Sequence, residues 1–524
     1  MRRLVLTGAA GCLLAAAFPE IDFAPFAWVA LAPLIAAAVT APSVGRAAIE
    51  GYAFGLTAHI VSFSWWYRLL VHYGRLSHPE AAGVFLLLAF YIGAYAALFA
   101  AGVRATAARR GAAWALMMAP ALWAGLELLR GRLLTGLPWG LLGATQYRTP
   151  VMIQIADIGG VTSVSFAVAA ANAAAAWLYL SWRSRRLGHP PPGDYRAPAV
   201  LLAVPLAAAL YGGARLAQEF PAAGSVRVGL IQGNVPQEEK WEPAARKRIL
   251  NEHLEATRAA AAQGAKLIVW PESSVPLPLT SRPAYREILE TLARDLRVDL
   301  LVGSVHEEAA GTPEERVRNS AFLIPGTPAS VEQRYDKIHL VPFGEYVPLR
   351  GWLGPVDKLV MEASDFSGGE RVVVISTGEG RLGPLFCFEA IFPELVRRFT
   401  RGGAQVLVNL TNDGFLGDTA GPPQHLALAS IRAVESRRYL LRAANTGISA
   451  VVDEKGRLLQ TAAYGTAAVL IADVPLRDLR TIYMRLGDAF GWACVILAAA
   501  SLIAPGISRR GTSWTRIFYD VKPR

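Results

Sequence analysis

The stretch GPLFCFEAIFPE, residues 383–394, predicts a strand that turns into a helix, with Cys387 at the sharp corner between them. Such a corner exposes a nucleophile. Unpaired N–H groups at the start of the following helix stabilise a thiolate and, later, an oxyanion. The competing interpretation is a cysteine that only packs as a small apolar residue. Two further segments favour the nucleophile.

Each of these segments places a candidate catalytic side chain in an apolar setting. LIVWPESS, residues 267–274, holds Glu272 after a buried strand and a proline, at the carboxyl end of the strand, where clefts of open α/β sheets lie. YDKIHLVPFGEYVP, residues 335–348, sets Lys337 among apolar residues. A surface glutamate and a structural ion pair are the respective alternatives when each segment is considered alone.

Together the three segments supply one complete mechanism. Glu272 takes the thiol proton as general base, Cys387 attacks a carbonyl, and Lys337 stabilises the tetrahedral oxyanion together with the N–H of Phe388. No histidine is required. We interpret the ones at 306, 339 and 425 as ordinary polar residues, because none stands in a recognisable Cys-His arrangement.

Composition indicates a membrane protein. The 524 residues are 53% hydrophobic and only 18% charged, which is too apolar for an ordinary soluble chain. The net charge of +11 therefore concerns lipid and topology, since no nucleic-acid module is recognisable. Cys12, Cys387 and Cys494 are too few and too scattered for a disulfide framework or a zinc site. We predict no metal and no cofactor.

Apolar runs predict eight membrane spans, most of them near the roughly 20 residues needed to cross a bilayer. The runs are 4–18, 23–41, 47–66, 81–103, 112–129, 161–182, 197–214 and 486–504. The first, after Met-Arg-Arg, also resembles a secretory signal. We therefore predict a seven-helix bundle over 1–216, an eighth helix over 486–505 and a basic cytoplasmic tail over 506–524.

The distribution of cations predicts the orientation. With a cytoplasmic N-terminus, fifteen Lys and Arg residues fall in inside segments and five in short outside loops. By the positive-inside rule both termini are cytoplasmic, and everything between the seventh and eighth spans is extracytoplasmic. That intervening piece, 225–475, alternates β-rich and helical runs, which predicts a single α/β domain able to bury its own core. The predicted strands are 226–231, 266–270, 299–305, 372–375, 384–388, 405–410, 448–452, 458–463 and 469–474, and the predicted helices are 243–263, 285–297, 393–401 and 423–438.

The three segments resemble the Glu-Lys-Cys triad of the nitrilase (carbon–nitrogen hydrolase) superfamily. Three segments are similar to sequences of the apolipoprotein N-acyltransferase family: YDKIHLVPFGEYVP at 335–348, CFEAIFPE at 387–394 and NLTNDGF at 409–415. The similarity extends to QGN at 232–234 with Lys240-Trp241, to RNS at 318–320 and to LLTGLPW at 133–139. The family often has tyrosine where this chain has Phe388.

This resemblance implies a nitrilase-like α-β-β-α sandwich inserted between the last two spans of an eight-helix bundle. It implies a ping-pong reaction in which a phospholipid acylates Cys387 as a thioester and the N-terminal α-amine of a diacylglyceryl-cysteine lipoprotein then takes the chain. The expected location is the bacterial cytoplasmic (inner) membrane, with the catalytic domain on the periplasmic face, and we expect a monomer.

Further site residues follow from the resemblance. Glu345 is expected to orient the lysine, and Glu389 to hold the nucleophile's loop in a catalytic or a structural role. Expected contacts with substrate are Trp241, Asn319, Phe388, Trp139 and Trp352. The segments 65–67 and 137–139 are candidate lipid-facing elements, the tryptophans at 65 and 66 alternatively being plain interface anchors. Residues 352–361 are a candidate lid over the acyl pocket.

Two other functions stay open at this stage. A membrane-tethered amidase would use the same triad with water as the second nucleophile. A transporter or lipid-binding scaffold would carry an inactive nitrilase-like domain, although the predicted spans hold few ionisable residues beyond Glu50 and Glu127.

Overall fold

Helices dominate the first 217 residues, and strands alternate with helices after them. The computed structural model describes residues 1–312, 314–346 and 366–503. The chain divides into two units. The first contains residues 1–67 and 79–218 and resumes at Leu486, and the second contains Arg68–His78 and Glu219–Arg485. The predicted tail at 506–524 and the predicted lid at 352–361 lie outside the described residues.

Four helices of the first unit are long and apolar enough to cross a membrane: His78–Arg110, Ala112–Arg130, Ala156–Arg186 and Arg196–Ala217. These match four of the predicted spans. The other helices that begin in this unit are Arg2–Ala15, Ala27–Ala30, Ala32–Thr40, Val44–Ser62, Ser64–His72, Pro150–Ile153 and Ala489–Ile503, with 3₁₀ turns at Ala24–Phe26, Leu133–Thr135 and Leu142–Gln146.

Of the remaining predicted spans in the described part of the chain, Val44–Ser62 has 19 residues but is not among the helices apolar enough to cross a membrane, and the others form shorter or interrupted helices. Arg2–Ala15 has 14 residues, about 21 Å at 1.5 Å per residue, which is less than the hydrocarbon thickness. The run 23–41 is divided into three pieces, two of which begin with a proline in their first turn. Helix length and apolar composition together therefore support four spans, and the count of eight remains a prediction.

The second unit contains thirteen described strands. In chain order they are β1 Gly224–Gln232, β2 Leu267–Val269, β3 Val275–Pro278, β4 Asp299–Glu308, β5 Arg316–Ile324, β6 Gln333–Asp336, β7 Ile375–Ser376, β8 Arg381–Phe386, β9 Val406–Thr411, β10 Tyr439–Ala444, β11 Ala450–Val452, β12 Leu458–Thr461 and β13 Ala468–Leu476. Its helices are Arg246–Ala262, Pro283–Leu296, Pro393–Arg401, Gly421–Ser436 and Ile482–Leu486.

These strands form two mixed sheets. The first has the order β13-β1-β2-β4-β5-β6, with β3 also paired to β4, and its β1, β2 and β4 run parallel. The second has the order β12-β11-β10-β9-β8-β7, with β8, β9 and β10 parallel. The parallel strands are buried along their length, as expected where both faces of a sheet are covered.

The layers follow an α-β-β-α order. Arg246–Ala262 and Pro283–Leu296 supply apolar side chains to a core shared with the first sheet. Pro393–Arg401 and Gly421–Ser436 contact β8 and β10 of the second sheet. Strands β1 and β10 contact each other between the sheets. The carboxyl ends of β2, β6 and β8 are thereby available to form one site.

Most elements of this unit match the sequence prediction, and the helix Pro393–Arg401 has the predicted bounds. The sequence analysis missed β3, β5, β6 and β10. The predicted helix that ends at residue 438 runs directly up to β10, whereas the helix in the structure ends at Ser436. The predicted strand over 372–375 overlaps the observed strand Ile375–Ser376 only at Ile375. A buried strand such as YLLRAA carries no alternation, so periodicity does not separate it from the helix before it.

The second unit also includes Arg68–His78, a segment that the sequence analysis placed in the helical bundle. The Tyr73 hydroxyl donates to the carbonyl oxygen of Gly414 (3.0 Å), and its ring packs edge-on against Phe415 (centroids 5.4 Å apart). This segment therefore covers the 3₁₀ turn Asp413–Leu416 that follows β9.

Candidate active site

The three predicted catalytic residues follow three strand ends. Glu272 comes after β2 and Lys337 directly after β6 in one sheet, and Cys387 directly follows β8 in the other. The Lys337 Nζ lies 3.3 Å from Glu272 Oε1 and 2.9 Å from Glu345 Oε1. Sheet topology thus brings together side chains that are 65 and 50 positions apart in sequence. The charges of Glu272 and Lys337 both act on the thiol of Cys387.

Glu272 is buried and held on every side. Its Oε1 accepts from Asn319 Nδ2 (2.6 Å), and its Oε2 accepts from the backbone N–H of Asn412 (3.0 Å). Its own carbonyl accepts from the buried ammonium of Lys240 (2.9 Å). The sequence analysis grouped Asn319 with substrate contacts, whereas the structure places its amide nitrogen on Glu272.

Lys337 is almost completely enclosed, with 1% of its side chain exposed. Burial alone would lower its pKa, but the nearby Glu272, Glu345 and Cys387 outweigh this effect, so the pKa is raised above its ordinary value. The second oxygen of Glu345 accepts from the N–H of Val341 (2.8 Å). The lysine is therefore an ammonium fixed between two carboxylates.

Cys387 occupies a strained corner. Its φ of +41° lies in the left-handed region, which a residue with a Cβ rarely adopts. Desolvation raises the pKa of its thiol to about 12, and the charges of Glu272 and Asp413 act in the same direction while Lys337 opposes them. The resting group is thus a thiol, which needs a base at the moment of attack.

Glu389 is fully buried behind this corner. Its carboxylate accepts from the N–H groups of Phe386 (2.8 Å), Ile338 (2.7 Å) and His339 (3.0 Å), and from the hydroxyl of Tyr335 (2.9 Å). Burial raises its pKa to about 7, against the opposing effect of these N–H donors. One side chain therefore ties the end of β8 to the segment that carries Lys337.

Exchanging Glu389 for Gln tests this tie. The amide presents an NH₂ group toward donors, so at least one buried N–H loses its acceptor, at a cost of about 1–3 kcal/mol. We expect a lower thermal midpoint and slower alkylation of Cys387. Glu394→Gln, at a surface-facing position in the first turn of the next helix, serves as the control. Equal midpoints for the two variants would contradict the assignment.

His425 lies against the nucleophile, a contact that was not predicted from the sequence. Its Nε2 lies 3.0 Å from the carbonyl oxygen of Cys387, and its Nδ1 lies 3.1 Å from Asp413 Oδ1. The helix Gly421–Ser436 packs on the Cys387–Ile391 turn and bridges the 38 positions between the two residues. A lone arginine in the apolar strand YLLRAA, Arg442, was the available signal that a buried acid lay opposite.

Cys387, Asp413 and His425 also form a group whose possible metal-ligating atoms all lie within 4.8 Å of one another. The sequence analysis predicted no such cluster. Asp413 is engaged by Arg442 Nη2 (2.6 Å), and His425 by the Cys387 carbonyl. A cation at this place would face a buried guanidinium, so we interpret the group as a hydrogen-bond network.

The other predicted contact residues are dispersed. Trp241 borders an open depression with Glu238, Glu242 and Pro243. The Phe388 ring packs against Phe392, with centroids 5.0 Å apart. Trp352 lies outside the described residues.

Trp139, in a candidate lipid-facing element, has a buried side chain, and its contact with substrate stays a prediction. Its side chain is 4% exposed and packs 5.3 Å from the ring of Trp65, which is itself buried. The cause is Arg130, whose Nη2 donates to the carbonyls of Trp139 (2.9 Å) and Gly140 (3.1 Å) and folds this loop inward.

Family models match both parts of the chain. Residues 227–483 match the carbon-nitrogen hydrolase model, and residues 10–174 match the model of the apolipoprotein N-acyltransferase N-terminal domain. Among solved structures, an amidase from Nesterenkonia sp. aligns with a TM-score of 0.37 and 23% identity over 50% of this chain and 94% of that one.

Two relatives align over nearly the full length. The apolipoprotein N-acyltransferase of Geobacter metallireducens is 40% identical over 504 residues, which cover 95% of this chain and 94% of that protein. The apolipoprotein N-acyltransferase of Nitrosomonas europaea is 33% identical over 515 residues, covering 96% and 97%. The chain with the strand-end Glu272, Lys337 and Cys387 belongs to the apolipoprotein N-acyltransferase family.

Proposed function

We propose that this chain is a membrane acyltransferase that moves a fatty acyl chain from a phospholipid to the N-terminal α-amine of a diacylglyceryl-cysteine lipoprotein. The observation that carries the proposal is the arrangement of Glu272, Lys337 and Cys387 at three strand ends of one unit, with a lysine ammonium held 3.3 Å from the glutamate. The family of the chain supports the choice of acyl transfer over other carbonyl chemistry.

In the first half-reaction Glu272 takes the proton of the Cys387 thiol, and the sulfur attacks the ester carbonyl of the phospholipid. Negative charge collects on the carbonyl oxygen, where Lys337 and the N–H of Phe388 stabilise it. The C–O ester bond then breaks, Glu272 returns its proton to the departing oxygen, and a lysophospholipid leaves. Cys387 retains the acyl chain as a thioester.

In the second half-reaction the lipoprotein α-amine attacks the thioester. Glu272 accepts the amine proton, the C–S bond breaks, and Glu272 passes that proton to the departing sulfur as the amide product leaves. One carboxylate thus serves both halves because each nucleophile must lose a proton. Asn319 and the N–H of Asn412 position Glu272, and Glu345 positions Lys337. The reaction as written needs only the residues named and its two substrates.

The proposed reaction explains why the catalytic unit is joined to a helical unit. Both substrates are anchored in a bilayer, so the thiol must be presented at the membrane surface. We propose eight spans, with the carbon–nitrogen hydrolase unit between the last two and on the extracytoplasmic face of the bacterial inner membrane. The four long apolar helices and the predominance of cations in the predicted inside segments support this arrangement.

Mass spectrometry of Cys387 tests the function in two steps. The purified full-length chain is first incubated with phospholipid vesicles alone, and we expect a peptide containing Cys387 that carries one acyl chain. A diacylated lipopeptide is then added, and we expect the acyl chain to move to its α-amine. Without the lipopeptide, the thioester should persist for much longer than the time of one catalytic turnover.

The alternatives give different results in the same experiment. An amidase would hydrolyse the acyl-enzyme and release free fatty acid without waiting for the lipopeptide. A binding scaffold would bind vesicles without any mass change at Cys387. Either outcome would overturn the proposal.

A further inference from the structure

A second set of buried polar residues, distinct from Glu389, contacts the backbone of the nucleophile. The carbonyl oxygen of Cys387 accepts from His425 Nε2 (3.0 Å) and lies 3.4 Å from Asn409 Nδ2. His425 comes from the first turns of Gly421–Ser436, and Asn409 from the middle of β9. Both are buried, with 1% and 0% exposed. Two separate elements therefore hold a single peptide group.

That peptide group belongs to the strained corner. At φ +41° Cys387 has a conformation that is unfavourable for residues other than glycine, because the Cβ crowds the backbone. Relaxation to the right-handed region would rotate both the carbonyl and the Cα–Cβ bond. The sulfur would then no longer point at the same place relative to Glu272 and Lys337. The strained conformation therefore requires interactions that fix the Cys387 carbonyl in place.

Arg442 organises both donors from β10. Its guanidinium donates through Nη1 to Asn409 Oδ1 and through Nη2 to Asp413 Oδ2 (2.6 Å), and Nη2 lies 3.1 Å from His425 Nδ1. Asp413 Oδ1 accepts from the Thr411 hydroxyl (3.0 Å). The side chains of Arg442 and Asp413 are both fully buried. The charged pair is thus internally neutral and rigid.

The contacts of His425 place a hydrogen on its Nε2. A carbonyl oxygen can only accept, so Nε2 must carry the hydrogen in order to bind the Cys387 carbonyl. Nδ1 lies 3.1 Å from Asp413 Oδ1, which can only accept, and 3.1 Å from Arg442 Nη2, which can only donate. Burial and the charge of Arg442 lower the pKa of His425, while Asp413 and the Cys387 carbonyl act in the opposite direction. The imidazole therefore donates to the Cys387 carbonyl whether or not Nδ1 is protonated.

We propose that His425 is a positioning residue of the acyl-transfer site, which clamps the Cys387 carbonyl through Nε2–H and is itself held by Arg442 and Asp413. The role of His425 in turnover rests on the proposed function. Its effect on the reactivity of the Cys387 thiol rests on geometry alone. In this role His425 makes no contact with substrate and exchanges no protons with it.

Two substitutions of His425 separate positioning from packing. In His425→Gln the amide NH₂ can reach the place of Nε2–H, whereas His425→Leu fills the space without a donor. We expect single-turnover acylation of Cys387 to fall by about 100-fold in the Leu variant, since a misplacement of about 1 Å has effects of that order, with the phospholipid KM unchanged. The Gln variant should stay within about fivefold of wild type.

The controls concern folding and intrinsic reactivity. His253→Leu removes another buried histidine, whose Nδ1 lies 2.9 Å from the carbonyl oxygen of Ile249 on its own helix, and should leave acylation within about twofold. Thermal midpoints report packing, for which Leu should equal or exceed Gln. Reaction of Cys387 with iodoacetamide needs no lipid, and it should slow in the order wild type, Gln, Leu.

The outcomes decide the matter. Equal acylation and alkylation rates in the Gln and Leu variants, or losses that track the thermal midpoint, would overturn the inference. A wild-type protein that transfers no acyl chain, while alkylation still ranks Gln above Leu, would refute the proposed function and leave the positioning role standing. If His425→Leu does not fold, Arg442→Lys replaces it. A single ammonium cannot bind both Asn409 and Asp413, so we expect about tenfold slower acylation, and an unchanged rate would overturn the inference.

Discussion

Replacing Cys387 with Ala is expected to abolish acyl transfer to a diacylated lipopeptide, by roughly 10⁴- to 10⁶-fold, the order observed when a covalent nucleophile is removed. Without sulfur no thioester forms, and Glu272 has no thiol proton to take. The substitution removes one atom from a partly exposed position and keeps the backbone donors, so the fold should persist. N-acylated lipopeptide, measured by mass spectrometry, is the readout.

Cys494→Ala provides the matched control, because Cys494 is buried in the helix Ala489–Ile503 of the other unit. It should transfer acyl chains at nearly the wild-type rate. Cys387→Ser is a second comparison. Its hydroxyl has the right place but is far harder to deprotonate, so we expect it to remain close to the Ala variant. Substantial transfer by Cys387→Ala would remove the thioester from the mechanism.

Exchanging Lys337 for Met is expected to reduce acyl transfer by about 10³-fold, the scale on which a donor to a developing oxyanion acts. The methylene stem is kept and the ammonium is lost. Glu272 and Glu345 then face each other without the cation that lies between them. Lys266→Met, at an exposed position just before β2, is the control and should leave transfer unchanged.

The pH dependence of Cys387 alkylation tests how Lys337 and Glu272 act on the pKa of the thiol. The thiol pKa is raised to about 12, so the alkylation rate of wild type should still be rising above pH 11. Lys337 lowers that pKa, so its loss moves the profile to higher pH. Glu272 raises it, so Glu272→Gln moves the profile to lower pH while transfer is lost with the base. Shifts in the same direction for both variants would contradict the electrostatic account.

Glu272, Lys337 and Cys387 could be selected from the sequence because each stands in a short segment of unusual composition. Glu272 follows an uninterrupted apolar strand, Lys337 is a lone cation among apolar residues, and Cys387 precedes a helix start. These are local signals, and the sheet topology then brings the strand ends together. The roles of the three residues remain predictions until the substitutions above are measured.

The network behind the nucleophile could not be read in the same way. His425, Asp413 and Arg442 are 38, 26 and 55 positions beyond Cys387, and of the three only Arg442, alone in an apolar strand, gives a local signal. Only the packing of Gly421–Ser436 against the corner and the pairing of β9 with β10 make them adjacent. Likewise, a hydropathy run does not reveal where proline divides a helix, which is why residues 23–41 read as one span and fold as three pieces.

The placement of Arg68–His78 restricts how this protein can be dissected. A soluble fragment that starts at Glu219 would lack Tyr73, so the ring of Phe415 would lose its cover and the Gly414 carbonyl its phenolic donor. Asn412, two residues earlier, is the backbone donor to Glu272. Excision at the apparent boundary should therefore disturb the general base even though every member of the triad is retained, and an autonomous catalytic fragment requires the distant tyrosine to be supplied as well.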